Sequence, residues 1–401
     1  MNPSSSQGHG AGPPERPPRR RRRARRRRRN TGTRAAPEQA QPPPVAAAHD
    51  AAYFNGYAQL GIHEEMIKDQ VRTKTYRDAI MQHRSFIRGK VVLDVGCGTG
   101  ILSMFCAYAG ARRVYAVDAS DIAIQAELVV EAISLSNIIT VLHGRVEDVD
   151  INEKVDVIVS EWMGYILFYE NMLKSVITAR DRWLKPGGLI LPSHATLYVA
   201  PVTHPDRYSE RVGFWRNVYG IDMSALLNYA KQCAFEEPLV ESIPSENVLA
   251  WPHVVKHVDC YTVIVQELES FTSNFYWKSM MRAPLNGFAF WFNVEFHKPE
   301  VAAAWRRLPA PPYASEGSSA NRYNKRATSN KDSLLSTAPG DPPTHWQQTV
   351  IYLYDPIDLE EDQVIEGSVT LIQNRESRGF MSIELAYLCG GHSFRKFSVM
   401  N

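Results

Sequence analysis

Cysteine is scarce in this sequence and poorly placed for bonding. Five are scattered over 401 residues (Cys97, Cys106, Cys233, Cys260, Cys389), with no C-x-x-C pair among them. That spacing argues against a disulfide framework and a structural zinc site, and it implies a reducing compartment. Long apolar runs are also missing. None reaches membrane-spanning length, so no membrane partner is expected. The N-terminus lacks the apolar stretch of a secretory leader, so secretion is not expected either. Residues 1–49 contain almost nothing apolar. They are Pro, Gly, Ala and Arg, cannot offset their ordering entropy, and are expected to form a disordered tail.

Positive charge is concentrated where apolar residues are absent. The tail holds twelve Arg and two acids, Glu15 and Glu38, a net charge of +10. The other residues hold 33 bases and 41 acids, a net charge of −8. A mildly acidic body suits a basic partner, because long-range attraction speeds encounter. Arg19–Arg23 and Arg25–Arg29 read as a nuclear localisation signal or a non-specific nucleic-acid contact. The expected location is therefore nuclear, with a cytoplasmic pool allowed. A solvated tail without a specific partner is the plainer alternative.

The body is long enough for two domains. Residues 50–192 alternate strand and helix patterns. Val91–Val95 is β-branched, Gly96-Cys97-Gly98-Thr99-Gly100 follows, a helix runs to about Gly110, and Val114–Val117 is a second strand ending at Asp118. This is a βαβ unit. Helix Ala123–Leu135, strand Ile138–Leu142, strand Val155–Ser160 and helix Asn171–Trp183 continue it, and Lys185-Pro186-Gly187-Gly188 ends the last helix. The expected fold is a Rossmann-like α/β domain, preceded by helices over Tyr53–Arg88.

The glycine turn admits two ligand classes. A dinucleotide turn carries G-x-G-x-x-G and seats a diphosphate on a helix N-terminus. Here Ile101 replaces the third glycine, and Asp94 just before the turn would repel a diphosphate. The sulfonium and ammonium of S-adenosylmethionine would be attracted instead. Gly96 and Gly98 let the backbone approach such a ligand. Asp118 is placed for ribose hydroxyls, and Glu147, beyond the third strand, for an adenine edge.

Val155–Glu170 delivers Glu161 at a strand end, crosses an aromatic turn and returns Glu170. Carboxyl ends of parallel strands border the ligand crevice, so the two glutamates are read as a pair built for a cation. The alternative is that one or both cap the next helix or sit in water.

Residues 193–401 change character. TLYVAPV, CYTVIV, GFAFWFNVEF, QQTVIYLY, GSVTLI and SIELAYL alternate with turns and no helices, which suggests an antiparallel β-barrel domain. A helical piece over 213–237 interrupts it, readable from the residues alone as an intramolecular helix pair. Residues 298–339 lack periodicity and read as a mobile insert.

Four ordered motifs carry a resemblance: Tyr53-Phe54-Asn55-Gly56-Tyr57, Val92-Leu93-Asp94-Val95-Gly96-Cys97-Gly98-Thr99-Gly100, Ser160-Glu161-Trp162-Met163-Gly164-Tyr165 running to Glu170, and Thr344-His345-Trp346. Over Ala51–Asn401 the chain resembles the protein arginine N-methyltransferases, and more narrowly type I members of the plant-like sixth subfamily. The resemblance implies transfer from S-adenosylmethionine to arginines of histones, RNA-binding proteins and other Arg-rich proteins, giving monomethyl- and asymmetric dimethylarginine. It implies that Glu161 and Glu170 grip the guanidinium and that His345 with Asp69 accepts the proton. His63, Arg72, Gly96, Asp118 and Glu147 would contact the cofactor, Arg72 taking its carboxylate. Tyr53, Tyr57, Met66, Met163, Met172 and Trp346 would line the substrate side. Asp118 departs from the family's usual Glu. The helical arm would give a head-to-tail homodimer. A weakly catalytic protein tethering nucleic acid or chromatin through its tail is the competing function, and symmetric dimethylation the competing product.

Overall fold

The structure is a computed structural model that describes residues 45–299, 333–373 and 380–400. The tail through residue 44 and residues 300–332 of the expected insert lie outside the described residues. The ends of both segments are described and are regular. Helix α1, Val45–Tyr57, starts four residues before the expected end of the tail at residue 49. Strand β11, Leu334–Ser336, lies within the expected insert and pairs with β10, Ala283–Glu295.

The first half begins with α1, α2 (Leu60–Lys68), α3 (Gln70–Gln82) and α4 (Arg84–Ile87). Then come β1 (Val91–Val95), α5 (Ile101–Tyr108), β2 (Arg113–Asp118), α6 (Ile122–Ala132), β3 (Ile139–His143), β4 (Val155–Val159), α7 (Leu173–Trp183) and β5 (Leu184–Leu191). The five strands form one parallel sheet in the order β3-β2-β1-β4-β5. Every residue of β1 is buried, as a strand covered on both faces must be. The glycine turn leaves β1 and Glu161 leaves β4. These strands are neighbours where the strand order reverses, which is where an open α/β sheet opens its crevice.

Strand β5 was not expected from the sequence. Lys185-Pro186-Gly187-Gly188 does not end the chain's regular structure. It forms an irregularity in an edge strand that pairs at Leu184 and again from Leu189 to Leu191. A proline is tolerated there because an edge strand has a side that needs no donor.

The second half is antiparallel, as expected. One sheet has the order β7-β12-β10-β6-β8, built from β7 (Leu239–Glu241), β12 (Gln348–Leu359), β10, β6 (His194–Val202) and β8 (His253–Asp259), with β11 on β10. The other has the order β15-β14-β13-β9, built from β15 (His392–Met400), β14 (Met381–Cys389), β13 (Val364–Gln373) and β9 (Ser270–Lys278). Phe275 and Trp277 of β9, Phe288 of β10 and Tyr387 of β14 are buried and pack on one another between the sheets. Helices α8 (Pro205–Arg211) and α9 (Leu227–Phe235) fall in or beside the expected arm.

The expected strand CYTVIV is a turn instead. Its carbonyls are committed elsewhere: Arg180 Nη1 of α7 donates to Cys260 O (3.1 Å) and Val263 O (2.8 Å). Tyr261 Oη accepts from Ile190 N at 3.0 Å. The segment therefore latches the parallel sheet's flank to the antiparallel half, and helix α10 (Gln266–Glu269) follows it. The neighbouring HVVKHVD is the real strand, β8.

Candidate active site

The crevice above β1 and β4 is a cavity of about 210 Å³. The glycine turn lines it, together with His63, Arg72, Asp118, Glu147, Glu161, Glu170, His345 and Trp346. Tyr53, Tyr57, Met66, Met163 and Met172 also reach it. The two glutamates face this common space, so neither is merely a helix cap.

The turn is built for close approach. Gly96, Gly98 and Gly100 have φ of +71°, +53° and +84°, which disfavour any side chain. A Cβ on Gly96 would sit 2.1 Å from Met172 Cε, and one on Gly98 would sit 3.0 Å from His63 Nδ1. The bare backbone and these two side chains form a cradle that a Cβ would fill. Asp118 Oδ2 accepts from Gly98 N (2.8 Å), while Oδ1 accepts from Ser120 N (2.8 Å) and Ser120 Oγ (2.7 Å). These bonds pin the short carboxylate beside the turn, and Oδ2 keeps a lone pair for a hydroxyl. Glu147 is held by Ser175 Oγ at 2.7 Å. Neither Ser120 nor Ser175 carried a sequence signal, since serine beside a carboxylate is unremarkable in one dimension.

Asp94 is corrected. It does not line the cavity; it lies fully buried beneath the turn, with Oδ2 accepting from Ser103 Oγ at 2.6 Å. Its Oδ1 has no hydrogen-bond partner among the described residues. Burial raises its carboxyl to about 7, with Asp118 adding to the rise and Ser103 opposing it. It supports the turn from behind.

Glu161 and Glu170 are held differently. Arg72 donates to Glu161 Oε2 from Nε (2.9 Å) and Nη2 (2.8 Å), and both side chains are buried. Arg72 was expected to meet the cofactor's carboxylate; the structure shows it bracing Glu161. Its Nη1 donates to Met66 O at 3.2 Å. Those three bonds leave two of its five N–H groups for another acceptor. Glu161 Oε1 accepts from Met163 N at 3.2 Å. Glu170 Oε2 accepts from Tyr53 Oη (2.9 Å) and Tyr57 Oη (2.6 Å), both on α1. Burial raises the Glu170 carboxyl above its ordinary value; the two tyrosines pull it down and the charge of Glu161 pushes it up. Two carboxylates and one guanidinium leave this cluster with a net charge of −1, which suits a single added cation.

The loop between the glutamates is strained. Ile166 (φ +48°) and Leu167 (φ +63°) both take the left-handed conformation, a costly choice for a β-branched residue. Ile166, Leu167 and Phe168 are all at most 2 % exposed, so core packing offsets the strain. Gly164 lies against Glu170: a Cβ there would be 3.0 Å from Glu170 N.

The antiparallel half supplies the last wall. His345 Nδ1 lies 2.8 Å from Asp69 Oδ2, and His345 N donates to the same oxygen at 2.9 Å. Asp69 Oδ1 accepts from Arg72 N at 3.0 Å and caps α3. Burial raises the Asp69 carboxyl, but the His345 ring and the two amides outweigh it and hold it below the ordinary range. Asp69 itself stands behind His345, away from the cavity wall. Trp346 Nε1 donates to Met163 O at 3.0 Å. No cluster of His, Cys, Asp and Glu among the described residues could hold a metal ion.

Comparison with known proteins agrees with this geometry. Residues 92–188 match a methyltransferase domain, and residues 193–306 and 323–392 match the arginine methyltransferase oligomerization subdomain. The chain is 66% identical over 356 residues to a probable protein arginine N-methyltransferase 6 of Arabidopsis thaliana, covering 88% of this chain and 82% of that one. It is 58% identical over 352 residues to a probable protein arginine N-methyltransferase 6.2 of Oryza sativa, covering 88% and 89%. The Trypanosoma brucei PRMT1 enzyme-prozyme heterotetrameric complex with AdoHcy superposes with a TM-score of 0.72 at 33% identity, over 86% of this chain and 99% of that one. Arabidopsis protein arginine methyltransferase 10 does so with a TM-score of 0.72 at 32% identity, over 87% and 100%. The matched methyltransferase domain, on a turn whose residues fit the ligand, makes S-adenosylmethionine the cofactor. Fold, cavity and kinship together place this chain in the protein arginine N-methyltransferases.

Proposed function

We propose that the protein methylates arginine side chains on Arg-rich nuclear proteins, histones among them, and yields monomethyl- and asymmetric dimethylarginine. The observation that carries this reading is that Glu161 and Glu170 share one cavity with the glycine turn.

The bound cofactor supplies an electrophilic methyl group on a sulfonium. Gly96, Gly98, Asp118, Glu147, His63 and the two spare N–H groups of Arg72 would hold it. The chain's own task is to make a guanidinium react. That group stays protonated in proteins, and its charge is spread over three nitrogens. Glu161 and Glu170 accept charge-assisted hydrogen bonds from it, each worth about 1.5–3 kcal/mol net. They draw positive charge toward the nitrogens they touch and leave lone-pair character on the third. Burial strengthens both bonds, and the fixed position of the pair supplies proximity and orientation. Asp69 fixes the Nδ1–H tautomer of His345 and leaves Nε2 to take the proton that the alkylated nitrogen loses. Met66, Met163 and Met172 limit the room beside the target nitrogen.

Exposed apolar side chains support a head-to-tail dimer. Phe214, Tyr219, Ile221 and Tyr229 stand out from the arm, and Ile124, Leu128 and Val129 from the outer face of α6. One patch on each half is what a heterologous, ring-closing contact requires.

Glu161→Gln tests the reading. Methyl transfer from labelled cofactor to an Arg-rich peptide falls to background, while binding of S-adenosylhomocysteine persists. Full activity in that variant would sink it. A protein that only tethers nucleic acid would show no transfer in the wild type. Neutral-loss mass spectrometry of the dimethylated product separates asymmetric from symmetric.

A further inference from the structure

One buried side chain grips the loop between the two glutamates without touching the cavity. Gln373 is the last residue of β13, 205 positions beyond Phe168, and its Nε2 donates to Phe168 O at 2.9 Å. The same carbonyl accepts from Asn171 N at 3.0 Å, which closes the turn Phe168–Asn171 that presents Glu170. Gln373 Oε1 has no hydrogen-bond partner among the described residues, and the residue is 6 % exposed. The amide is thus buried in order to make a single donation, at the cost of an orphaned acceptor. The Phe168 ring also packs edge-on against Phe271 of β9, 5.4 Å between centroids.

The turn needs such a fastening. Asn171 (φ +56°) is a third left-handed residue of the loop, after Ile166 and Leu167. A segment with three such residues persists only where its surroundings over-determine it. Tyr53 and Tyr57 hold the Glu170 side chain from α1, but nothing in the parallel domain donates a side-chain bond to the backbone carbonyl behind it among the described contacts.

We propose that Gln373 is a positioning residue for methyl transfer: by fixing the Phe168 carbonyl it aims Glu170 at the substrate guanidinium, and it ties the antiparallel half to the catalytic loop. The inference rests on the reading above that Glu170 grips that guanidinium.

The test compares full-length wild type, Gln373→Leu, Gln373→Met and Glu170→Gln. For each, kcat and KM on an Arg-rich peptide, S-adenosylhomocysteine affinity by calorimetry and the melting temperature are measured. Leu and Met keep the volume and remove both the donor and the orphaned acceptor, so neither should impair folding. The expected result is a fall in kcat of about 10-fold to 100-fold, the usual effect of a misaimed group, with the ligand affinity and melting temperature of the wild type. Wild-type kcat in either variant overturns the inference. So does a loss of kcat matched by an equal loss of ligand affinity and melting temperature, because that is general loosening. An inactive wild type, or an active Glu170→Gln, overturns the underlying reading instead.

Discussion

Tyr57→Phe removes one hydroxyl and leaves the ring in place, so its effect can be worked out from a single contact. The hydroxyl donates to Glu170 Oε2 at 2.6 Å. Burial first, and the charge of Glu170 next, hold the Tyr57 phenol well above its ordinary value, so it remains a donor throughout the working range. A hydrogen bond onto an ionised group is worth about 1.5–3 kcal/mol. If the bond favours the ionised carboxyl alone, its loss lifts the already raised Glu170 carboxyl further. In the mechanism proposed above transfer requires ionised Glu170, so the acid limb of kcat/KM moves toward neutral pH. Tyr53→Phe, with a bond of 2.9 Å, moves it less. A carboxyl with a raised folded-state pKa contributes stability that is present below its unfolded value and lost as pH rises through the folded one. Tyr57→Phe therefore destabilises the fold at neutral pH and leaves it unchanged in acid. Initial rates of labelled methyl transfer over the mildly acidic to alkaline range decide the matter. An acid limb superimposable on the wild type's refutes the reasoning.

Two more outcomes are expected. Gly164→Ala puts a Cβ 3.0 Å from Glu170 N and 3.1 Å from Glu170 Cγ. The glutamate must shift by tenths of an ångström, and kcat should fall at least about 10-fold while S-adenosylhomocysteine binding by calorimetry is retained. Asp94→Asn removes a buried carboxyl raised to about 7. The wild type loses that group's contribution as pH climbs from about 4 through 7, so its melting temperature should fall across this window and the variant's should fall less. Parallel melting curves would reject the assignment.

What the sequence revealed about this site was local. Val91–Val95 and Val155–Val159 announce themselves by β-branched composition, and the glycines and Glu161 follow within five residues of their strands. Pairings across the fold were hidden. Arg72 and Glu161 are 89 positions apart and meet only because α3 packs over the sheet ends. Asp94 read as a wall of the cavity because β1 is buried on both faces and gives no alternation by which to orient it. CYTVIV has strand composition, but Arg180 takes the carbonyls a ladder would need. β5 carries Pro-Gly-Gly, which an edge tolerates and a pattern reads as a break. Gln373 stands in no motif, and its role depends entirely on which backbone carbonyl the two halves bring to it.

Asp69 couples two parts of the site through one carboxylate. One of its oxygens starts the helix that carries Arg72; the other anchors His345 from the opposite half of the molecule. A single carboxylate thus sets the reach of the arginine that braces Glu161 and the tilt of the imidazole together. Kinetic defects after replacing it will mix a displaced brace with a misoriented imidazole, and His345→Gln is the cleaner probe of the proton removal proposed above.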